Sequence, residues 1–166
     1  EGGVDFAPTI RAIVKAGIPV QGHIGLTPQT ASALGGFKMQ GRDASAAKQI
    51  IDDAKALEDA GVFSMILEAV PAPLGKLVAE AVEVPVIGIG AGPDVDGQVL
   101  VTHDMVGLFD KFVPKFVKQY TRIRPVILEA LGAYKKEVQD GIFPGPEHSF
   151  KMPAEALGQL KKMIET

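Results

Sequence analysis

A helix followed by a short apolar strand recurs along residues 1–110, and this repeat constrains the fold more than any single motif does. Apolar spacing predicts helices over 4–16 and 44–60, and a shorter helix that carries Leu74 and Leu77. Apolar runs predict strands at 18–23, 62–67 and 84–89, and a weaker one at 105–108. Repeated helix–strand units of this kind imply parallel strands that are joined by right-handed crossovers.

Two details bear on this repeat. Asp43 stands where its side chain can cap the helix over 44–60. The segment IPVQG at 18–22 is echoed by VPVIG at 84–88, after a spacing of 66 residues. Two units of about 33 residues fit that spacing. Chance, together with the shared chemistry of strand starts, could also produce one short match.

The last third of the sequence is predicted to be helical and different in kind. Phe112, Phe116, Val117 and Tyr120 are spaced like one side of a helix. A second helix is predicted from Ile123 to Val138, and Pro153 opens a third. Between them, the segment 141–150 reads as a turn-rich loop. We predict a single domain over 1–166, with β-α units in 1–110 and C-terminal helices in 111–166.

The number of strands limits the architecture. Four parallel strands leave an open sheet with two edges, which need covering. A (β/α)8 barrel needs eight strands and typically about 250 residues. We therefore predict an α/β fold, the C-terminal half of a (β/α)8 barrel followed by extra helices, incomplete at the N-terminus. The opening Glu1-Gly2-Gly3, which resembles a strand end without its strand, favours this over a small doubly wound sheet.

Charge and composition exclude several classes of protein. The chain has 166 residues, enough for one domain with a core, and a net charge of −3 with both signs interspersed. Nothing here indicates a nucleic-acid or membrane partner. Because there is no cysteine, disulfides and Cys-based zinc sites are excluded and a reducing compartment is permitted. We predict a cytoplasmic protein.

Glu68 is the leading candidate for chemistry. It follows the apolar run 62–67, which reads as a strand buried on both faces. Burying an unpaired carboxylate is costly, so Glu68 either emerges into solvent or is held there for a reaction. A glutamate between a strand and a helix also suits a helix N-terminus, and position alone leaves both interpretations open.

Other candidate residues follow the neighbouring strands. Barrel enzymes carry their active sites where the strands end, so Glu1, His23, Glu68 and the run 88–92 (GIGAG) are predicted to converge. His23 lies between glycines and could donate a hydrogen bond, or could be a core histidine. The run 88–92 fails the dinucleotide pattern because Pro93 replaces the third glycine. The loop 35–42, with cations Lys38 and Arg42, could fold over an active site or be solvated surface.

Several segments together resemble one known family, ketopantoate hydroxymethyltransferase. The segments are 22–29 (GHIGLTPQ), 36–42 (GFKMQGR), 67–71 (LEAVP), 88–92 (GIGAG), 96–98 (DGQ), 103–104 (HD) and 143–150 (FPGPEHSF). Their order and spacing also fit, and the resemblance covers nearly the whole chain.

The resemblance implies a (β/α)8 barrel that makes ketopantoate in pantothenate biosynthesis. Such enzymes transfer a hydroxymethyl group from 5,10-methylenetetrahydrofolate to 3-methyl-2-oxobutanoate, use Mg2+ and form homo-oligomers. By the match of motifs, Glu68 is similar to the general base and Glu1 to a metal-associated glutamate, while His23 is assigned to donate a hydrogen bond to the keto acid. The family's other metal-binding aspartates, and its keto-acid Lys and Ser, lie in the first four β-α units, which this sequence lacks. Alone, the chain is therefore predicted to be inactive.

Two alternatives remain at this point. A carbon–carbon lyase of the phosphoenolpyruvate mutase and isocitrate lyase type shares the barrel and the keto-acid chemistry. Such enzymes usually carry a catalytic Cys, and this sequence has no Cys, so the transferase is preferred. The second alternative is a non-catalytic half-barrel that assembles with another chain. Its interface would be the apolar helices over 110–139.

Overall fold

The computed structural model describes residues 1–30 and 38–164. They fall into two compact units, Glu1–Thr121 and a second that begins at Arg122. The single domain predicted over 1–166 stays a prediction. Of the predicted loop 35–42, residues 35–37 lie outside the described residues.

The first unit alternates helices and strands, as the repeat predicts. A 3₁₀ turn at Val4–Phe6 leads into the first helix. The helices and strands that follow are α1 (Ala7–Lys15), β1 (Gln21–Gly25), α2 (Ala44–Asp59), β2 (Ser64–Glu68), α3 (Ala72–Ala81), β3 (Val86–Ile89), β4 (Gly97–Gln98) and α4 (Thr102–Met105). A further 3₁₀ turn occupies Pro28–Thr30.

The four strands form one parallel sheet in the order β1-β2-β3-β4. His23 lies beside Ile66 in the register, and Gly25 beside Glu68. The prediction of a parallel sheet with intervening helices is confirmed. Strands β1, β2 and β3 begin two or three residues later than predicted. Pro19 and Pro85 lie before β1 and β3, and proline cannot donate to the ladder.

The sheet has two unlike faces. On one face Ile24, Met65, Leu67 and Val86 pack against the helices, whose buried residues include Ile10, Ile50, Ala54, Leu57, Leu74 and Val78. Because side chains alternate along a strand, the opposite face carries Gln21, His23, Ser64, Ile66 and Glu68. The apolar face therefore holds the layers together, and the other face presents the polar groups.

The fourth strand lies elsewhere than predicted. The strand expected at 105–108 is wrong, because the segment turns after α4, where Leu108 N–H bonds the His103 carbonyl (2.8 Å) and Gly107 has a φ of +64°. Gly97–Gln98 pairs with β3 instead. Asp96 fixes this pairing, since its carboxylate accepts the Val86 N–H at 2.8 Å. A strand of only two residues is too short to show a period, so the apolar pattern does not predict it.

The helix predicted from Phe112 to Tyr120 is also wrong, and that segment forms turns without a helix. Pro114 lies inside it, and proline both lacks an N–H and disfavours helical geometry in the residue before it. The Val117 N–H bonds the Pro114 carbonyl at 3.0 Å, which closes a single turn.

The second unit contains α5 (Arg124–Gln139), a 3₁₀ turn at Pro146–His148 and α6 (Ala154–Ile164). Both helices are confirmed, and each begins one residue after its predicted start. Neither has a buried residue among those described. Within the described part of the chain, no helix has the length and apolarity required to cross a membrane.

Asp43 caps α2 as the sequence predicts, and its side chain accepts the Ala46 N–H at 2.9 Å. Asp43→Ala should lower the free energy of unfolding by about 1 kcal/mol, because a helix N–H then loses its partner. Asp43→Asn keeps an acceptor and should cost less than half of that. Chemical denaturation measures both. Equal loss in the two variants would show that charge, rather than the cap hydrogen bond, stabilises this end.

Candidate active site

Three ionisable side chains meet where the strands end. His23 Nε2 lies 3.1 Å from Glu68 Oε2, and His23 Nδ1 lies 3.7 Å from Glu1 Oε1. The first distance is a hydrogen bond, and the second is a close approach without one. The structure thus brings together the three residues that the sequence singled out on separate segments.

Glu68 is the last residue of β2, and its side chain is 15% exposed. Helix α3 starts only at Ala72, with Pro71 as its N-cap, so Glu68 lies outside the first turn. It is on the sheet face opposite Met65 and Leu67. The interpretation of Glu68 as a solvated glutamate at a helix N-terminus is therefore wrong, and its carboxylate is sheltered beside an imidazole.

The backbone around Glu68 is fixed from both sides. Its carbonyl accepts the Leu26 N–H at 2.9 Å, and the next N–H, from Ala69, bonds the Ile89 carbonyl at 2.9 Å. Ala69 has a φ of +50°, which is uncommon for a residue with a Cβ. These hydrogen bonds hold the strained turn in place, and strain of this kind is concentrated at functional sites.

Gly25 allows β1 to approach Glu68. Its φ is +85°, and a Cβ added there would lie 2.3 Å from the Glu68 carbonyl oxygen. Any larger residue would push the strand end apart. Gly25 therefore sets the position of the Glu68 backbone, and through it the distance from Glu68 to His23.

The hydrogen bond assigns a proton to His23. An ionised carboxylate can only accept, so Nε2 carries the hydrogen when Glu68 is charged. The side chain of His23 is 20% exposed and that of Glu1 is 26% exposed. The bond occupies Oε2 of Glu68 and leaves Oε1 to accept a proton from a ligand.

Glu68 also lines a cavity of about 810 Å3 within the first unit. Most of its lining is apolar and comes from the loops that follow the strands. The lining residues include Leu26, Lys38, Met39, Val70, Gly90, Gly92, Phe112, Lys115 and Phe116. The Phe116 ring lies against Gly90, where an added Cβ would come within 2.6 Å of it. A carboxylate on the wall of an apolar cavity of this size is the arrangement expected of a small-molecule site.

Sequence reasoning found some of these lining residues and missed others. Gly90 and Gly92 belong to the glycine run, and Lys38 to the loop, that were singled out. Phe112, Lys115 and Phe116 were missed as site residues because their spacing resembles a helix. The available signal was Pro114 in the middle of that pattern, which argues against a helix.

The described residues provide only part of a site for the Mg2+ that the family resemblance implies. Among residues 1–30 and 38–164, no group of three or more His, Cys, Asp or Glu side chains is arranged to hold an ion. Glu1 offers one carboxylate next to His23, and a protein Mg2+ site uses several oxygen ligands, including carboxylates and water. The described residues do not by themselves form a metal centre.

The fold and the site define a parallel α/β protein with an imidazole–carboxylate pair beside an apolar cavity at the carboxyl ends of its strands. A family model described as "Ketopantoate hydroxymethyltransferase" matches residues 1–146. The chain belongs to the ketopantoate hydroxymethyltransferase family.

Curated relatives agree with this assignment. Proteins named "3-methyl-2-oxobutanoate hydroxymethyltransferase" are similar to the chain in Heliobacterium modesticaldum (59% identity, 95% of this chain, 57% of the relative) and Syntrophobacter fumaroxidans (59%, 92% and 54%). The relative from Clostridium beijerinckii is 55% identical over 96% of this chain and 58% of its own length. The chain therefore spans about half the length of the curated relatives it matches.

Gly25→Ala should lower the free energy of unfolding by roughly 3 kcal/mol, because it adds a steric overlap to an unfavourable φ. Gly17→Ala is the matched control, since Gly17 also has a φ of +85° but has no atom within 4 Å of an added Cβ. The control should cost about 1 kcal/mol. Denaturation of both variants measures the difference. Equal costs would mean that the close approach to Glu68 is not a constraint.

Proposed function

We propose that this chain is part of an enzyme that transfers a hydroxymethyl group from 5,10-methylenetetrahydrofolate to 3-methyl-2-oxobutanoate, giving 2-dehydropantoate for pantothenate biosynthesis. The observation that carries the proposal is the 3.1 Å pair of His23 and Glu68 on the wall of an apolar cavity. Family membership supports the reaction, and it favours the transferase over the lyase alternative.

The proposed complete fold is a (β/α)8 barrel to which this chain contributes half. Two observations support it: the sheet is parallel, and its edge strand β1 is already approached from outside. The His23 carbonyl points away from β2 and accepts the Gly2 N–H at 3.0 Å. A strand that ends at Gly2 would extend the sheet in the same sense. The face that carries His23 and Glu68 would then be the barrel interior.

Glu68 is the proposed general base. The proton on C3 of the keto acid is weakly acidic, so its removal needs a carboxylate that is held close and shielded from water. Glu68 meets these requirements because its side chain is mostly buried and Oε1 is left for the proton. The resulting enolate carbon attacks the one-carbon unit of the folate.

His23 is proposed to bind the keto acid. In the present geometry its Nε2–H serves Glu68, and a neutral imidazole has one N–H to donate. When the keto acid takes that hydrogen bond, Glu68 loses its partner and becomes a better proton acceptor. Substrate binding and activation of the base would therefore be coupled through one hydrogen bond.

The atoms of the proposed reaction balance with one water. A new carbon–carbon bond forms between C3 and the folate methylene carbon, and both carbon–nitrogen bonds of the methylene bridge break. Water supplies the hydroxyl of the product. The C3 proton and the second water proton restore the two N–H groups of tetrahydrofolate.

Among the described residues, only Glu1 is proposed to bind a divalent cation such as Mg2+. A cation held next to the keto acid would supply positive charge for the developing enolate. Glu1 would supply one ligand, and the others would come from outside the described residues. For that reason this chain on its own is proposed to be inactive.

The proposed setting is a cytoplasmic homo-oligomer. Apolar side chains of α5 support association, because Leu128, Leu131 and Tyr134 are all more than half exposed. Exposed apolar patches of this kind often mark contacts between proteins.

Glu68→Gln, in a protein of the relatives' length that contains this chain, should keep keto-acid binding and lower turnover by at least about 100-fold. An amide keeps the size of the side chain but cannot accept the proton. Steady-state kinetics and calorimetric binding of 3-methyl-2-oxobutanoate measure the two effects. Glu80→Gln, an exposed position on α3, is the control and should behave as wild type. Turnover near normal in Glu68→Gln would refute the assignment of the base.

A further inference from the structure

The cavity beside Glu68 is larger than the keto acid needs. Its volume is about 810 Å3, and pockets of roughly 300–1,000 Å3 hold ligands of the size of typical drugs. The small branched keto acid would leave most of this space empty. The remaining space is large enough for part of a second, larger substrate that reacts next to Glu68.

The cavity has aromatic walls. Phe112 is 67% exposed, and the Phe116 ring lies against Gly90. A large exposed ring on the rim of a cavity gains favourable contacts when a flat ligand covers it. The close packing of Phe116 on Gly90 fixes one ring, so the aromatic wall is partly formed in advance.

The acidic and the basic side chains that line the cavity differ in their partners. Among its described lining residues, the charged side chains are Glu68, Lys38 and Lys115. Glu68 pairs with His23, whereas both lysines are exposed and form no ion pair with another described residue. Lysine offers a flexible point charge that suits a mobile carboxylate tail. The surface therefore matches a ligand with a flat aromatic part and an anionic end.

We propose that this cavity is the folate subsite, in which Phe112 and Phe116 contact the aromatic part of tetrahydrofolate and Lys38 and Lys115 bind its glutamyl carboxylates. The inference rests on the proposed function, because it assigns a place to that reaction's second substrate. Glu68 lines the same cavity, so the one-carbon unit and the enolate would meet without either leaving the site.

The test compares two ligands and two variants in a protein of the relatives' length that contains this chain. The ligands are tetrahydrofolate and tetrahydropteroate, which lacks the glutamate. The variants are Phe112→Leu and the double variant Lys38→Gln, Lys115→Gln. The matched controls are Phe63→Leu and Lys55→Gln, since these side chains are exposed and lie outside the cavity lining. Calorimetry gives each Kd, and kinetics gives KM for the keto acid.

Phe112→Leu should raise the Kd of both ligands about tenfold, because both contain the aromatic part. The double lysine variant should raise the Kd of tetrahydrofolate about fivefold and leave that of tetrahydropteroate within about twofold. The controls, and the KM for the keto acid in every variant, should stay within about twofold, which also shows that the proteins are folded.

Two results would overturn the subsite: unchanged tetrahydrofolate binding in both variants, or equal loss of the two ligands in the lysine variant. Normal turnover with unchanged folate binding would refute the subsite and leave the proposed function intact. The expected binding pattern in a protein that transfers no hydroxymethyl group would refute the function and leave the subsite intact.

Discussion

The site depends on the close approach of β1 and β2 where Gly25 lies beside Glu68. Without a side chain on Gly25, the Leu26 N–H reaches the Glu68 carbonyl, and the two strand ends are joined. The same register places His23 on the face that carries the Glu68 side chain. The 3.1 Å hydrogen bond between them is thus a consequence of strand pairing, and it requires no separate positioning loop. Strand pairing thereby sets the geometry of the two side chains that are proposed to act on the keto acid.

Periodicity predicts the parallel sheet and most of the helices, because the apolar face of the sheet and the stripes of α1, α2 and α3 form one core. It fails where other interactions decide the structure. The strand at Gly97–Gln98 is held by backbone pairing and the Asp96 side chain, and it has no apolar pattern. Phe112 and Phe116 are spaced like a helix, but Pro114 prevents one, and the two rings line a cavity instead. A pattern that records which residues are apolar cannot distinguish a core residue from one that lines a cavity.

The candidate site was predictable in part. Parallel strands bring their carboxyl ends to one edge of a sheet, so the convergence of His23 and Glu68 follows from topology. The partial burial of Glu68 and the size of the cavity do not, since both depend on how loops distant in sequence fold over the edge. The strained φ of Ala69 is likewise set by hydrogen bonds to β3 and to Gln40. The chain spans about half the length of the curated relatives it matches.

The proposed role of Glu68 is to remove the C3 proton of the keto acid. It is tested most directly without folate, by following the exchange of that proton for deuterium in D2O with 1H NMR, in a protein of the relatives' length that contains this chain. If Glu68 is the base, the wild-type protein catalyses the exchange, and replacing Glu68 by Gln slows it by at least about 100-fold. Exchange at the wild-type rate in that variant would show that another group removes the proton.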